Sequence, residues 1–376
     1  MPAAPTPGPA ISRRTLLTIA AAAGISAVGG YALFEYTPWL NDQRTASQIR
    51  KPLDKSASGS AQMLELVRYA TLAASSHNSQ PWKFAVGGDS IEIHPDRARA
   101  LSVVDPTDRE LWISLGAALE NLAIAARAAG YTPSITYPDS VDFIRVGLTP
   151  QAPEGGPLFD AIPMRQSTRS DYDGLPIGTA DLGRLHAVSL EPGIALHFAA
   201  GADELGALGK HVAAGDLDQY SNRAFVSELI AWLRFDRREA LAGLDGLYSR
   251  CSGNLEVPRW LGQWVVSSTK PQQQADTDAK RLLASSGAIV VASAGDSKSD
   301  WVRAGQVFGR LALTLTSLGL KSSLMNQPVE VAAVRGQLQQ SLRLGAALPQ
   351  MVVRYGHAQP MPLSERRSAD QLLVRS

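Results

Sequence analysis

Six consecutive residues, Ser75-Ser76-His77-Asn78-Ser79-Gln80, carry hydrogen-bonding side chains, and Pro81-Trp82 closes the run. Hydroxyls and amides that both donate and accept suit the edge of a flat heterocycle with mixed donors and acceptors. The blander alternative is a helix C-cap and turn with Trp82 plugging the core. A second run, Arg165-Gln166-Ser167-Thr168-Arg169, sets two guanidiniums four residues apart with hydroxyls between them. On one helical face or turn such a group can chelate a phosphate and leave one arginine for a neighbouring oxygen. The alternative is an exposed basic helix start. A third run, Ser364-Glu365-Arg366-Arg367-Ser368, reads by itself as a solvated tail.

These runs need elements to hold them. Ala61 to Ala74 has helical spacing, with Met63, Leu64, Val67 and Leu72 for an apolar face. Lys83 to His94 reads as a hairpin around Gly87-Gly88-Asp89. A long Ala/Leu helix is expected over 108–129, stopped by Gly130, and a strand over 141–146. Pro150 to Pro157 is a Pro/Gly-rich boundary. The stretch 181–280 holds several helices, one over 225–235. Trp260 and Trp264, at helical spacing within it, read as core residues. Gln272 to Gln274 reads as a polar loop, 287–292 as a buried strand, 304–318 as a helix stopped by Gly319, and 351–355 as a last strand.

An internal repeat runs through this order. Trp112, Gly116, Leu122 and Gly130 recur 189 residues later as Trp301, Gly305, Leu311 and Gly319. Ile144-Arg145-Val146-Gly147 resembles Val353-Arg354-Tyr355-Gly356, now 209 residues on. The second copy therefore carries about 20 more residues between helix and strand, around 322–346.

The chain has 376 residues, with 36 Lys+Arg against 35 Asp+Glu, a net charge of +1. No broad basic field exists to hold a nucleic-acid backbone. Cys251 is the single cysteine, which excludes an internal disulfide and any multi-cysteine metal or iron–sulfur site. The chain contains no Gly-x-Gly-x-x-Gly, phosphate loop, His-Glu-x-x-His or Gly-x-Ser-x-Gly, and its histidines show no ligand spacing. At the N-terminus, Arg13-Arg14 directly precede an Ala/Gly-rich apolar stretch with no further charge until Glu35. That is the pattern of a twin-arginine export signal, and 15–34 is also about long enough to anchor in a membrane. The expected organisation is signal or anchor 1–40, linker 41–60, one half over 61–150 and a second over 151–376. The second half would carry a helical insertion at about 200–280 that could serve as a lid.

Together, the Ser-x-x-Asn-x-Gln-Pro-Trp and Arg-x-Ser-x-Arg patterns and the C-terminal arginines resemble the nitroreductase superfamily of FMN proteins, most of all its Acg-type branch. The resemblance spans most of 61–374 and is weakest over 181–280. It implies an α+β fold, an α-β-α sandwich with a mostly antiparallel central sheet. The family's ordinary members are homodimers with FMN at the interface; the repeat implies one chain imitating that dimer, a monomer with one FMN. It also implies an FMN-dependent oxidoreductase, with flavin N5 as the reacting atom, NAD(P)H as a possible donor and a small-molecule acceptor. Arg165 and Ser167, with Gln166, would hold the phosphate and ribityl end, and Arg169 the pyrimidine edge. Ser75, Asn78 and Gln80 would bond the isoalloxazine or ribityl. Arg366 and Arg367 would reach the phosphate, and Met325 and Asn326 would pass near N5. Four positions depart from the family pattern: Ala74 replaces its proline, Gln166 its second basic residue, and Asn326-Gln327 its acidic residue and glycine near N5. The competing reading is a protein that sequesters flavin under its long middle segment.

Overall fold

The computed structural model describes residues 43–374. The twin-arginine segment and the candidate anchor at 15–34 lie outside the described residues. Among the described residues, no helix is long and apolar enough to cross a membrane.

The first elements are the helices α1 (Gln43–Gln48) and α2 (Ser60–Ala70), then strands β1 (Trp82–Val86) and β2 (Ser90–Pro95). Helix α3 (Arg109–Ala128) follows, then β3 (Tyr131–Thr136) and β4 (Ile144–Pro150). These four strands form one antiparallel sheet in the order β1-β2-β4-β3. Ile91, Ile93, Ile144 and Val146 are fully buried on its inner face. On its outer face Glu92 pairs with Arg145 at 2.6 Å. The alternation in Ser90-Ile91-Glu92-Ile93 is that of a sheet covered on one side.

After α4 (Pro157–Ala161) and α5 (Thr179–His186) come β5 (Ile194–Ala199), α6 (Gly201–Ser221), α7 (Arg223–Trp232), β6 (Leu233–Arg234), α8 (Arg237–Gly243) and β7 (Leu247–Tyr248). Then follow α9 (Arg259–Ser267), α10 (Pro271–Leu283), β8 (Gly287–Ser293), α11 (Lys298–Ser317) and β9 (Lys321–Leu324). Helices α12 (Gln327–Glu330) and α13 (Ala332–Ser341) lead to β10 (Leu348–Gly356). The second sheet is antiparallel in the order β5-β8-β10-β9. Every residue of β8 is buried. Ile289 packs with Leu311 and Leu315 of α11, while Val290 packs with Leu205, Leu208 and Leu282 of α6 and α10. Covered on both faces, β8 has the continuous run Ala-Ile-Val-Val-Ala rather than an alternation.

The fold is α+β, and its antiparallel β-structure is divided between two sheets of the same plan. In each, two strands precede a long helix, two follow it, and the order is first-second-fourth-third. The loop Gly87-Gly88-Asp89 joins the first pair in one half; α6 to α10 occupy the same place in the other. The extra residues of the second copy are α12 and α13, between β9 and β10. The repeated glycines explain themselves in the structure. Gly130 and Gly319 end α3 and α11 at φ of 90° and 75°, where a side chain would be strained. Gly116 and Gly305 lie where α3 and α11 cross, and one hydrophobic core runs through both helices and both halves.

Three local expectations change. Pro271 opens α10, so Gln272 to Gln274 form its first turn and not a loop, because proline needs no N–H partner there. Trp260 and Trp264 are 70% and 64% exposed on α9; the buried face of that helix is Gly262, against the Phe235 ring. The Arg165–Arg169 segment is extended, not helical, because α4 ends at Ala161 and Thr168 donates its N–H to Ser322 O of β9 at 2.8 Å.

Candidate functional site

Among the described residues, the loop after α2 has the densest run of positive φ outside glycine. His77, Asn78 and Gln80 all have φ near +51° to +52°. For side chains other than glycine this left-handed region costs about 1–2 kcal/mol per residue, least for Asn. Bonds inside and outside the loop offset that cost. Gln80 donates its N–H to Ser75 Oγ at 2.9 Å. Asn78 Nδ2 donates to Gly246 O at 3.1 Å and to Glu365 O at 3.3 Å. Gln80 Nε2 donates to Leu244 O at 2.8 Å, and its Oε1 accepts from the Arg367 N–H at 3.0 Å. The loop is thus clamped by the middle segment and by the C-terminus. Trp82 behind it is fully buried.

The extended Arg165–Arg169 segment explains its own spacing. Strand period sets Arg165, Ser167 and Arg169 on one side, facing a cavity, and Thr168 on the other, fully buried. Gln166 staples the C-terminal chain: its Nε2 donates to Met361 O at 2.9 Å and its Oε1 accepts from the Met361 N–H at 2.6 Å. The staple brings Arg366 in beside Arg165, so this tail is buried rather than solvated. Arg165 Nη2 donates to Leu72 O at 3.0 Å, and Arg366 reaches Thr71 O and Ala73 O at 3.0 and 3.2 Å. These carbonyls lie just past the end of α2. Arg50, tied to Ser364 O at 2.9 Å, adds a third guanidinium. Burial first, then repulsion from Arg50, pulls Arg165 down to about 10. Burial, then Arg50 and Arg165, holds Arg366 well below the usual arginine range. The Arg165 Nε is buried with no hydrogen-bond partner.

The opposite wall is acidic. Glu110, in the first turn of α3, accepts from Ser76 Oγ and, at 3.0 Å, from Asn326 Nδ2. Asn326 Oδ1 accepts from the Val352 N–H at 3.1 Å, which fixes the amide against β10. Gln327 Nε2 reaches Asp278 at 3.0 Å and Asp216 at 3.3 Å. Burial, and then Asp278 beside it, push the Asp216 carboxyl up to about 8. His77 is pulled down to about 4 by burial, with Glu110 opposing and Arg169 assisting, so its ring is neutral at pH 7.

Both walls enclose one cavity of about 1200 Å³, counted out to its open mouth. It brings together Ser75, Asn78, Arg165, Gln166, Ser167, Arg169, Asn326 and Arg366. Three expected residues stand outside its lining. Gln80 and Arg367 bond each other and brace the loop from behind. Met325 is buried against β8 and β10 and borders a neighbouring cavity. The cavity also contains residues that the sequence reading missed: Ser76, His77, Glu110, Asp216, Tyr220, Asp278 and Glu330. Ser76 and His77 sat inside the recognised loop. The acidic residues had no motif, and Asp216 and Asp278 fall where the resemblance is weakest. Among the described residues no cluster is placed to hold a metal ion.

The cavity is polarised and has unmet demands at both ends. One end offers a buried, unpartnered Arg165 N–H among three guanidiniums; the loop offers Asn78 Oδ1, a buried acceptor with no donor. An anion at one end and an N–H-bearing ring along the loop would answer both.

No family model matches the chain. It is 27% identical over 317 residues to Rv3131 of Mycobacterium tuberculosis, provisionally named an NAD(P)H nitroreductase, covering 81% of this chain and 88% of that protein. It is 25% identical over 320 residues to acg of the same organism, provisionally given the same activity name, covering 81% and 93%. A solved structure from Anabaena variabilis, provisionally titled a nitroreductase, aligns with a TM-score of 0.45 and 10% identity, over 84% of this chain and 91% of that one. The sequence likeness thus runs through nearly the whole of two proteins named as nitroreductases.

Proposed function

We propose that the chain is an FMN-binding, nitroreductase-like oxidoreductase with one flavin per chain. The observation that carries this reading is the cradle of three converging guanidiniums, Arg165, Arg366 and Arg50, with the Glu365 carboxylate close by, beside the strained 75–80 loop. Arg165, Ser167 and Arg366 would bind the phosphate, relieving the repulsion among the guanidiniums. Asn78 Oδ1 would accept from the ring N–H, and Ser75 would use its free hydroxyl hydrogen along the ribityl chain. Arg169 lines the same cavity, and its guanidinium would serve the pyrimidine edge. Bound there, FMN would supply two-electron hydride chemistry at N5 between NAD(P)H or another donor and an acceptor. Around it, Asn326 is held rigid between Glu110 and Val352, and α6 and α7 contribute Tyr220 and Phe225 to the cavity wall.

The test is uptake of FMN by the chain, read as a visible spectrum, followed by anaerobic mixing with NADH or NADPH. Bleaching by either supports the enzyme. A colourless chain that takes up no FMN refutes the reading. A second reading, storage of flavin without turnover, is favoured by one observation: α6, α7, α10 and the 246–252 stretch of the long middle segment supply much of the cavity's lining. A yellow protein that no nicotinamide bleaches supports storage. The two-half organisation, with its boundary near 150, and export through the twin-arginine pathway belong to the same proposal. Replacing Arg13-Arg14 by Lys-Lys and following the mature protein across the membrane tests the second.

A further inference from the structure

The acidic corner of the cavity, with Asp216, Asp278 and Gln327, holds none of the residues assigned to the flavin. We infer that Asp216, Asp278 and Gln327 form a subsite for an organic N–H cation, an ammonium or amidinium group on the molecule that meets the flavin. This inference rests on the cavity being the flavin's site.

The corner is built, not incidental. Gly215 on α6 lies so close to Gln327 that a Cβ there would stand 2.6 Å from the Gln327 carbonyl oxygen. That contact fixes α6 against α12 and sets Asp216 facing Gln327. One amide group, Gln327 Nε2, bridges the two carboxyls at 3.0 and 3.3 Å. Asp278 is otherwise engaged: Gln274 Nε2 donates to it at 2.9 Å and Arg281 at 3.2 Å. Asp216 is not. It is 1% exposed, lines the cavity, and its Oδ2 has no hydrogen-bond partner. Gln327 Oε1 is also a buried acceptor without a donor. With Asp216 ionised, its Oδ2 and Gln327 Oε1 are two unanswered acceptors on neighbouring side chains, and they ask for a group with two N–H bonds and a positive charge.

The surroundings agree. Tyr220 and Phe225, in edge contact at 5.8 Å, line the same side of the cavity and give a cation or a flat ring an aromatic wall. The charged and titratable groups around Asp216 are Asp278 on α10, Glu330 on α12 and Tyr220 on its own helix. Glu330 is engaged by Gln219 at 2.6 Å. Arg281 and Arg169 act on Asp278. Among the described residues no cation pairs with Asp216. With its carboxyl raised to about 8 by burial and by Asp278, Asp216 holds a proton at pH 7. A bound cation would favour the carboxylate and release that proton.

The experiment is calorimetric titration of the full, FMN-loaded chain with benzamidine, and with neutral benzamide as control, at several pH values. Benzamidine is expected to bind at least about tenfold tighter than benzamide. Its affinity should rise about tenfold per pH unit, levelling near 8, with a proton released on binding. Asp216→Asn should remove the pH dependence and weaken benzamidine by at least about tenfold. Equal binding of the two probes, a flat pH profile or no binding overturns the inference, and none of these needs the variant to fold. Flavin content is read from the visible spectrum of the same sample. A colourless chain refutes the flavin reading alone, and the titration of that chain then judges the cation subsite by the same outcomes.

Discussion

Gly116 and Gly305 occupy equivalent places on opposite sides of one helix crossing. A Cβ at Gly116 would lie 2.1 Å from the Val302 carbonyl oxygen, and one at Gly305 2.0 Å from the Ile113 carbonyl oxygen. Val302 stands as far beyond Ile113 in the sequence as Gly305 beyond Gly116, so the crossing has internal two-fold character. Gly116→Ala or Gly305→Ala must push α3 and α11 apart along the core that both halves share. Each is expected to cost about 1–3 kcal/mol in denaturant unfolding, as overpacking does. The double variant should cost less than the sum, since the first spacing change relieves the second. Full additivity would mean that the contacts are independent.

The cradle predicts a difference between two flavins that share a ring and differ in phosphate. Arg165→Gln should weaken FMN by about tenfold to a hundredfold, the loss of one charge-assisted contact. Riboflavin binding should change by less than about threefold, a difference below 1 kcal/mol. Equal losses for both flavins would place Arg165 in the architecture and not at the phosphate.

Gln80 makes the opposite prediction. It joins Leu244 O to the Arg367 N–H from behind the cavity. Gln80→Leu leaves both part-buried groups without this partner and should cost about 1 kcal/mol of stability. Once folded, the variant should bind flavin with a changed off-rate before any change in spectrum, because the loop loosens while the cavity lining stays intact. An altered spectrum with unaltered stability would put Gln80 against the flavin instead.

His77 fixes a pH window. Its folded pKa, about 4, lies below its ordinary value of 6.5. The unfolded chain therefore binds the proton first. The stability that this neutral ring contributes is complete above 6.5 and is lost as pH falls toward 4. His77→Asn keeps a residue tolerant of positive φ and removes the titration. The fall in Tm across that window should be shallower in the variant than in the parent chain. Parallel curves would show that His77 does not titrate there.

The repeat was legible because Gly116 and Gly305 make the same close contact twice; a shared spacing of 189 residues survives in sequence when the contact it serves is backbone on backbone. The Arg165–Arg169 run was legible as a cation pair but not as a strand, since i and i+4 share a face in either geometry. Gln80 was legible as important and misread in role, because an amide that braces a loop and one that holds a ligand look alike in a motif. The acidic wall was illegible. Asp216, Asp278 and Glu330 converge from α6, α10 and α12, and no local pattern records that meeting. Trp260 and Trp264 show the limit of periodicity: it found their shared face but not what that face meets.

The C-terminal chain adds an order in time. Arg366 completes the cation cradle, and Arg367 locks Gln80 of the 75–80 loop from 287 residues further along the chain. Until that distant segment docks, the rest of the body folds around an unfinished pocket. Loading therefore waits for this docking, and a chain whose 366–367 segment cannot dock would lack the means to hold its anion.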